Sequence, residues 1–124
     1  MAHLIDIKNI GDERGIIGII DSPDSLPFKV KRILFIKNSI EKRGNHAHKK
    51  TMQVLICING SSEIYTNNGE KKKTFVLDSP DKGLVLNPED WHTMENLSKD
   101  TILLALGSEY YDPEDYITEE PQND

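Results

Sequence analysis

Arg43-Gly44-Asn45-His46-Ala47-His48-Lys49 places two histidines at i and i+2 in a segment without helical period. On an extended strand, positions two apart point to the same side of a sheet, so both imidazoles enter one space. A single strand histidine is usually packing or surface. Two on one face, bracketed by basic residues, raise the case for chemistry. Gly44, between Arg43 and Asn45, reads as a turn delivering the chain into that strand.

Toward the N-terminus, Phe28 to Ile36 alternates, with Phe28, Val30, Arg32, Leu34 and Ile36 on one face. An arginine on a buried face needs an anion or a carboxylate beside it. Arg32 is therefore either a ligand contact or half of a structural ion pair. Toward the C-terminus, Met52 to Ile58 is the next strand, and strict alternation sets Gln53 opposite the histidines. A bulge or corner near Lys50 is needed if Gln53 is to join them. Cys57, inside the apolar run Val54 to Ile58, reads as a buried structural thiol, and as the only cysteine it forms no internal disulfide.

Further out, Leu4 to Ile10 and Ile16 to Ile20 read as two short strands around the Gly11–Gly15 turn, and Asp21 to Pro27 as a loop. Ser62 to Thr66 and Lys72 to Leu77 flank Asn67-Asn68-Gly69, a hairpin signal. Leu84 to Leu86 is a short strand, Asn87 to Asp90 a turn into Trp91-His92, and Thr101 to Leu106 a last core strand. Short strands with turns roughly every ten residues predict an all-β barrel or jelly roll. A chain of 124 residues forms one domain. Residues 1–117 are expected to form it, with Tyr110, Tyr111 and Tyr116 as candidates to dock on the barrel. Residues 118–124 form an acidic tail expected to be disordered.

The net charge of −6, from 21 acidic and 15 basic residues, argues against a nucleic-acid surface. Locally the balance reverses: Lys29 to Lys50 holds Lys29, Lys31, Arg32, Lys37, Lys42, Arg43, Lys49 and Lys50 against only Glu41, which favours a small anion. Lys71-Lys72-Lys73 reads as a solvated strand edge. With no signal peptide and no apolar run of membrane length, a soluble cytoplasmic protein without a membrane partner is the expectation.

Gly44, His46, His48, Gln53 and Gly60 resemble the first motif of the cupins, and Gly83, Pro88, His92 and Asn96 the second, one residue shorter before the histidine. In metal-binding cupins two histidines, a glutamate and the second-motif histidine hold the ion. Gln53 occupies the glutamate position, and a neutral amide is a poorer ligand than a carboxylate. The expectation is a cupin jelly-roll barrel with no metal and no cofactor, a three-histidine metal site being the alternative.

Longer phrases narrow the likeness. Arg43 to Lys50, Gln53 to Ser61, Pro88 to Met94 and Tyr111 to Ile117 resemble the sugar 3,4-ketoisomerases, the WxcM-like cupins acting on dTDP-4-keto-6-deoxyglucose. The similarity runs from about Ile5 to Ile117. It implies a small homodimeric, metal-independent isomerase on the route to 3-amino-3,6-dideoxy sugars of bacterial surface glycans such as O-antigen or S-layer glycan. One departure is Ile117-Thr118-Glu119, where the family commonly continues with a basic residue and further apolar positions.

Moving a ketone from C4 to C3 needs a base for the C3 proton and a group that moves protons between the two oxygens, work suited to imidazole. The resemblance implies His46 as the base at carbon and His48 as the oxygen-to-oxygen carrier, with the two exchangeable in role. His92 either orients the sugar or a water, or is a wall residue. Gln53 is expected to hydrogen-bond a sugar hydroxyl. Arg32, with Arg43 and Lys49 as lesser candidates, is expected to meet the diphosphate. Arg14 is a candidate for reaching the sugar and influencing the face on which C4 is reprotonated, its ordinary alternative being a surface arginine. Competing readings are a non-catalytic nucleotide-sugar binder, a metal-dependent cupin and a nucleotide-sugar epimerase.

Overall fold

Asn, Gly and Pro break the apolar alternation at short intervals and leave no stretch for a helix. The protein, in a computed structural model describing residues 1–124, forms twelve strands: β1 (His3–Asp6), β2 (Lys8–Asp12), β3 (Gly15–Ile19), β4 (Arg32–Lys37), β5 (Arg43–His48), β6 (Gln53–Asn59), β7 (Ser62–Asn67), β8 (Lys72–Leu77), β9 (Lys82–Leu86), β10 (Trp91–Glu95), β11 (Ile102–Gly107) and β12 (Tyr116–Ile117). Its one helical element is a 3₁₀ turn at Pro113–Asp115.

Two antiparallel five-stranded sheets, ordered β1-β9-β6-β11-β4 and β12-β5-β10-β7-β8, make the jelly roll, and β2 pairs only with β3. Leu55, Leu84 and Leu103 from the first sheet meet Ile64, Leu77 and Met94 from the second in one buried core. The first sheet also carries apolar residues on its outer face. Ile7, Leu26, Val54, Ile56, Val85 and Leu106 form a second cluster there, with Phe28 and Val30 packed against it. The unbroken run in β6 follows: Leu55 and Cys57 face the inner core while Val54 and Ile56 face this outer layer.

That outer layer corrects two expectations. The strand expected from Phe28 begins only at Arg32, because Phe28 and Val30 leave the ladder to cover the outer face, whereas Leu34 and Ile36 pack inward. The strand expected over Leu4 to Ile10 is cut at Ile7, whose side chain enters the same layer and whose N–H donates to Asp81 O at 2.9 Å. β1 then joins β9, and β2 turns away into its own hairpin.

Two irregularities position the site. Gly44 lies within β5, not in a turn before it: β10 pairs His92 with His46 and Thr93 with Gly44, so Asn45 is an extra residue in a β-bulge. Gly44 and Asn45 have φ of 88° and 62°. A Cβ on Gly44 would come within 2.9 Å of His92 O, so the close strand approach requires glycine here. Without the bulge Arg43 and His46, three apart, would face opposite ways; with it both line one cavity. The second irregularity is the corner at residues 49–52. It carries the chain from β5 in one sheet to β6 in the other, and turns Gln53 inward toward the histidines.

Candidate active site

Even positions of β5, His92 of β10, Gln53 of β6, Arg32 of β4 and Tyr116 of β12 converge on a cavity of about 220 Å³ between the sheets. The rings of His46 and His48 stand edge to face with centroids 5.1 Å apart, and His92 lies 5.0 Å from His46 and 6.5 Å from His48. The Tyr116 ring is 4.9 Å from His46 and 4.8 Å from His48.

Each Nδ1 faces a group that only accepts: Gly44 O for His46 at 3.0 Å, Asp90 O for His92 at 3.0 Å and the Asp115 carboxylate for His48 at 3.1 Å. The proton of each neutral ring therefore sits on Nδ1, leaving the Nε2 lone pair free. Nε2 of His48 and of His92 is buried with no partner. Burial lowers all three pKa values. It brings His92 down to about 4, and for His46 the charge of Arg32 adds to the effect while the bond to Gly44 O opposes it. For His48, burial outweighs the opposing bond to Asp115. At neutral pH the cavity thus holds three uncharged imidazoles.

Arg32 faces inward as its alternation implied, and the six ion pairs of the chain leave it out. The structural ion pair is therefore not what holds it. Its guanidinium lies 5.2 Å over the Tyr111 ring, and Arg32 lines the cavity. Arg43 and Gln53 also line the cavity, but Lys49 and Arg14 do not. Lys49 is exposed at the corner, engaged through its backbone N–H to Asp115 O. Arg14 is exposed in the β2–β3 turn and paired with Asp12 at 2.6 Å.

Sequence reasoning gave no site role to Asp115, Thr51 or Tyr116. Asp115 accepts bonds from His48 Nδ1, from the Thr51 hydroxyl and, at 2.8 Å, from Lys50 N. The available signal was Tyr111 to Ile117, a conspicuous phrase whose partners lie more than 60 residues earlier. No group of three or more His, Cys, Asp or Glu side chains is arranged to hold a metal ion.

The chain matches the family model described as "FdtA: WxcM-like, C-terminal" over residues 1–122. It is 41% identical over 116 residues to TDP-4-oxo-6-deoxy-alpha-D-glucose-3,4-oxoisomerase of Aneurinibacillus thermoaerophilus, covering 92% of this chain and 84% of that protein. Among solved structures it resembles QdtA, a sugar 3,4-ketoisomerase from Thermoanaerobacterium thermosaccharolyticum in complex with TDP. The TM-score is 0.92 at 38% identity, over 95% of this chain and 88% of the other. A 3,4-ketoisomerase from Helicobacter canadensis gives a TM-score of 0.91 at 34% identity, over 95% and 90%. With the histidine cavity, the cupin-like jelly roll and this likeness along nearly its whole length, the chain belongs to the WxcM-like family of sugar 3,4-ketoisomerases.

Proposed function

We propose that this protein converts TDP-4-keto-6-deoxyglucose to its 3-keto isomer through an enediol. The observation that carries the reading is a single cavity lined by three neutral imidazoles whose Nδ1 positions are all occupied, so that Nε2 is the reactive atom of each. His46 takes the C3 proton, and the C3–H electron pair becomes the C3–C4 double bond as the C4 carbonyl oxygen gains a proton. As the O3 proton leaves, the enediol collapses to the C3 carbonyl and its double-bond electrons take the proton held by His46 at C4, leaving a hydroxyl there and His46 neutral. His48 carries the proton from O3 to O4. Bases kept neutral by burial are suited to this work near neutral pH.

Gln53 and His92 supply hydrogen-bonding atoms to the sugar. Arg32 and Arg43 supply positive charge for the diphosphate, Arg32 already braced on Tyr111. Ligand pockets commonly run to roughly 300–1,000 Å³. The smaller cavity suits the sugar, with the nucleotide at its mouth.

A homodimer is part of the same reading. β4 ends its sheet with Ile33 and Phe35 each 65% exposed, and the β2–β3 hairpin carries Ile16 at 72% and Ile17 at 64%. These are the apolar surfaces a second copy would cover. Sedimentation velocity finding only monomer at micromolar concentration would remove this part. No helix is long and apolar enough to cross a membrane; a cytoplasmic enzyme supplying sugars for a bacterial surface glycan fits the reaction.

Proton NMR of TDP-4-keto-6-deoxyglucose with the purified protein in D₂O, with and without EDTA, tests the proposal. The expected result is a 3-keto product formed at the same rate in both. Binding without turnover would favour the non-catalytic binder, and activity lost with EDTA would mean a metal-dependent site.

A further inference from the structure

Of the three cavity histidines, only His48 rests on a full charge. Gly44 O and Asp90 O behind His46 and His92 are neutral carbonyls, whereas Asp115 is a carboxylate in a buried pair, the two side chains 3% and 4% exposed. Burial pushes the Asp115 carboxyl up. The bonds it accepts from Thr51, Lys50 N and His48 outweigh that and hold it below its ordinary value, so it is ionised at neutral pH. Its position is fixed from several sides. Pro113 opens the 3₁₀ turn, Asp112 caps it by accepting from Glu114 N at 3.0 Å, and Asp115 O accepts from Lys49 N at 2.8 Å. Tyr116 then pairs with His48 itself in the β12–β5 ladder. The C-terminal segment thus reaches around the corner after β5 and sets a carboxylate behind one particular imidazole.

We propose that Asp115 is a positioning residue for His48, fixing its proton on Nδ1 with Nε2 turned to the cavity, and stabilising the imidazolium formed when Nε2 accepts the O3 proton. This rests on the ketoisomerase reading and assigns a division of labour within it. The proton leaves O3 for His48 Nε2, the Nδ1 proton stays directed at Asp115, and Nε2 then releases the proton to O4; His48 and Asp115 end unchanged. His46 is backed only by a neutral carbonyl, while the charge of Arg32 acts on both rings. The relay of the hydroxyl proton, the step a carboxylate-backed imidazole supports, therefore falls to His48. Thr51, which donates to the same carboxylate, keeps Asp115 aimed.

The test is nitrogen-15 NMR of the histidine rings in the full-length protein, alongside steady-state kinetics of Asp115→Asn and Thr51→Val. In the unsubstituted protein His48 is expected as the Nδ1–H tautomer; finding Nε2–H there overturns the proposal whatever the variants do. Asp115→Asn can offer an amide N–H to Nδ1. It is expected to convert His48 to Nε2–H, to lower its pKa now that only His46, His92, Arg32 and Tyr116 face it, and to reduce kcat by roughly 10²-fold with KM changed little. Thr51→Val, which keeps the carboxylate but removes one of the bonds that aim it, is expected to keep the Nδ1–H tautomer and to lower kcat less than Asp115→Asn does. Loss of kcat in Asp115→Asn with His48 tautomer and pKa unchanged would mean a structural role only, and unchanged kcat would remove the role altogether. If the unsubstituted protein does not turn over the keto sugar, the ketoisomerase reading fails on its own, and the tautomer and pKa still decide whether Asp115 positions His48.

Discussion

His46 and His48 differ in what stands behind them, and the difference predicts separable defects. An asparagine at either position keeps polar contacts but cannot carry a proton, and loss of a general acid–base group typically costs 10²–10⁴-fold. Both His46→Asn and His48→Asn are therefore expected to lose at least about 10²-fold in kcat. Exchange of the C3 proton with D₂O should disappear in His46→Asn and persist in His48→Asn. Mass spectrometry of recovered substrate reads this, and exchange surviving in His46→Asn while vanishing in His48→Asn would reverse the two roles. Arg32 sits on an inward face against Tyr111 and no carboxylate meets it, which is what supports its proposed contact with the diphosphate.

At the level of elements, the β-bulge in β5 is what converts a strand with histidines into a site. Asn45 is the extra residue, and Gly44 at φ 88° lets β5 approach β10 closely enough for His46 to stand opposite His92. Gly44→Ala combines a left-handed backbone with a Cβ 2.9 Å from His92 O and 3.2 Å from Thr93 Cα. We expect a loss of about 1–3 kcal/mol in stability, together with a fall in kcat as His46 shifts. Urea denaturation checks the first, and a variant as stable as the parent would show that the ladder can relax around the bulge. The C-terminal segment also acts as an element. Trp91 Nε1 donates to Thr118 O at 3.2 Å, and Glu120 accepts from Tyr65 and Asn67 at 2.6 and 2.8 Å, so contacts continue beyond the strand that carries Tyr116.

For the whole molecule, the three depressed histidines link stability to pH. His92 has a folded-state pKa of about 4 against an ordinary 6.5. As pH falls below 6.5 the unfolded chain takes up a proton that the folded protein refuses. The stabilisation is therefore complete above pH 6.5 and is lost progressively down to about pH 4. The loss from His92 is on the order of 3 kcal/mol, and His46 and His48 act in the same direction. Denaturant titrations between pH 7.5 and pH 4.5 should show the fall; a flat profile would mean that these imidazoles are accessible to protons in the folded state.

Period-two alternation and turn residues are local signals, and they were enough for the all-β class, most of the strands, the inward face of Arg32 and the placing of His46 and His48 on one face. The longer phrases carried the family. Relations between distant segments emerge only on packing. The bulge that aligns Arg43 with His46 depends on β10, and the inward turn of Gln53 depends on a change of sheet at the corner. Phe28 and Val30 departed from their expected strand because the outer face of the first sheet needed covering. Asp115 acquires its role from a contact 67 positions away, where burial excludes water and the surrounding donors keep its carboxylate ionised. No local pattern encodes such a contact, since its chemistry exists only once the two segments are packed together.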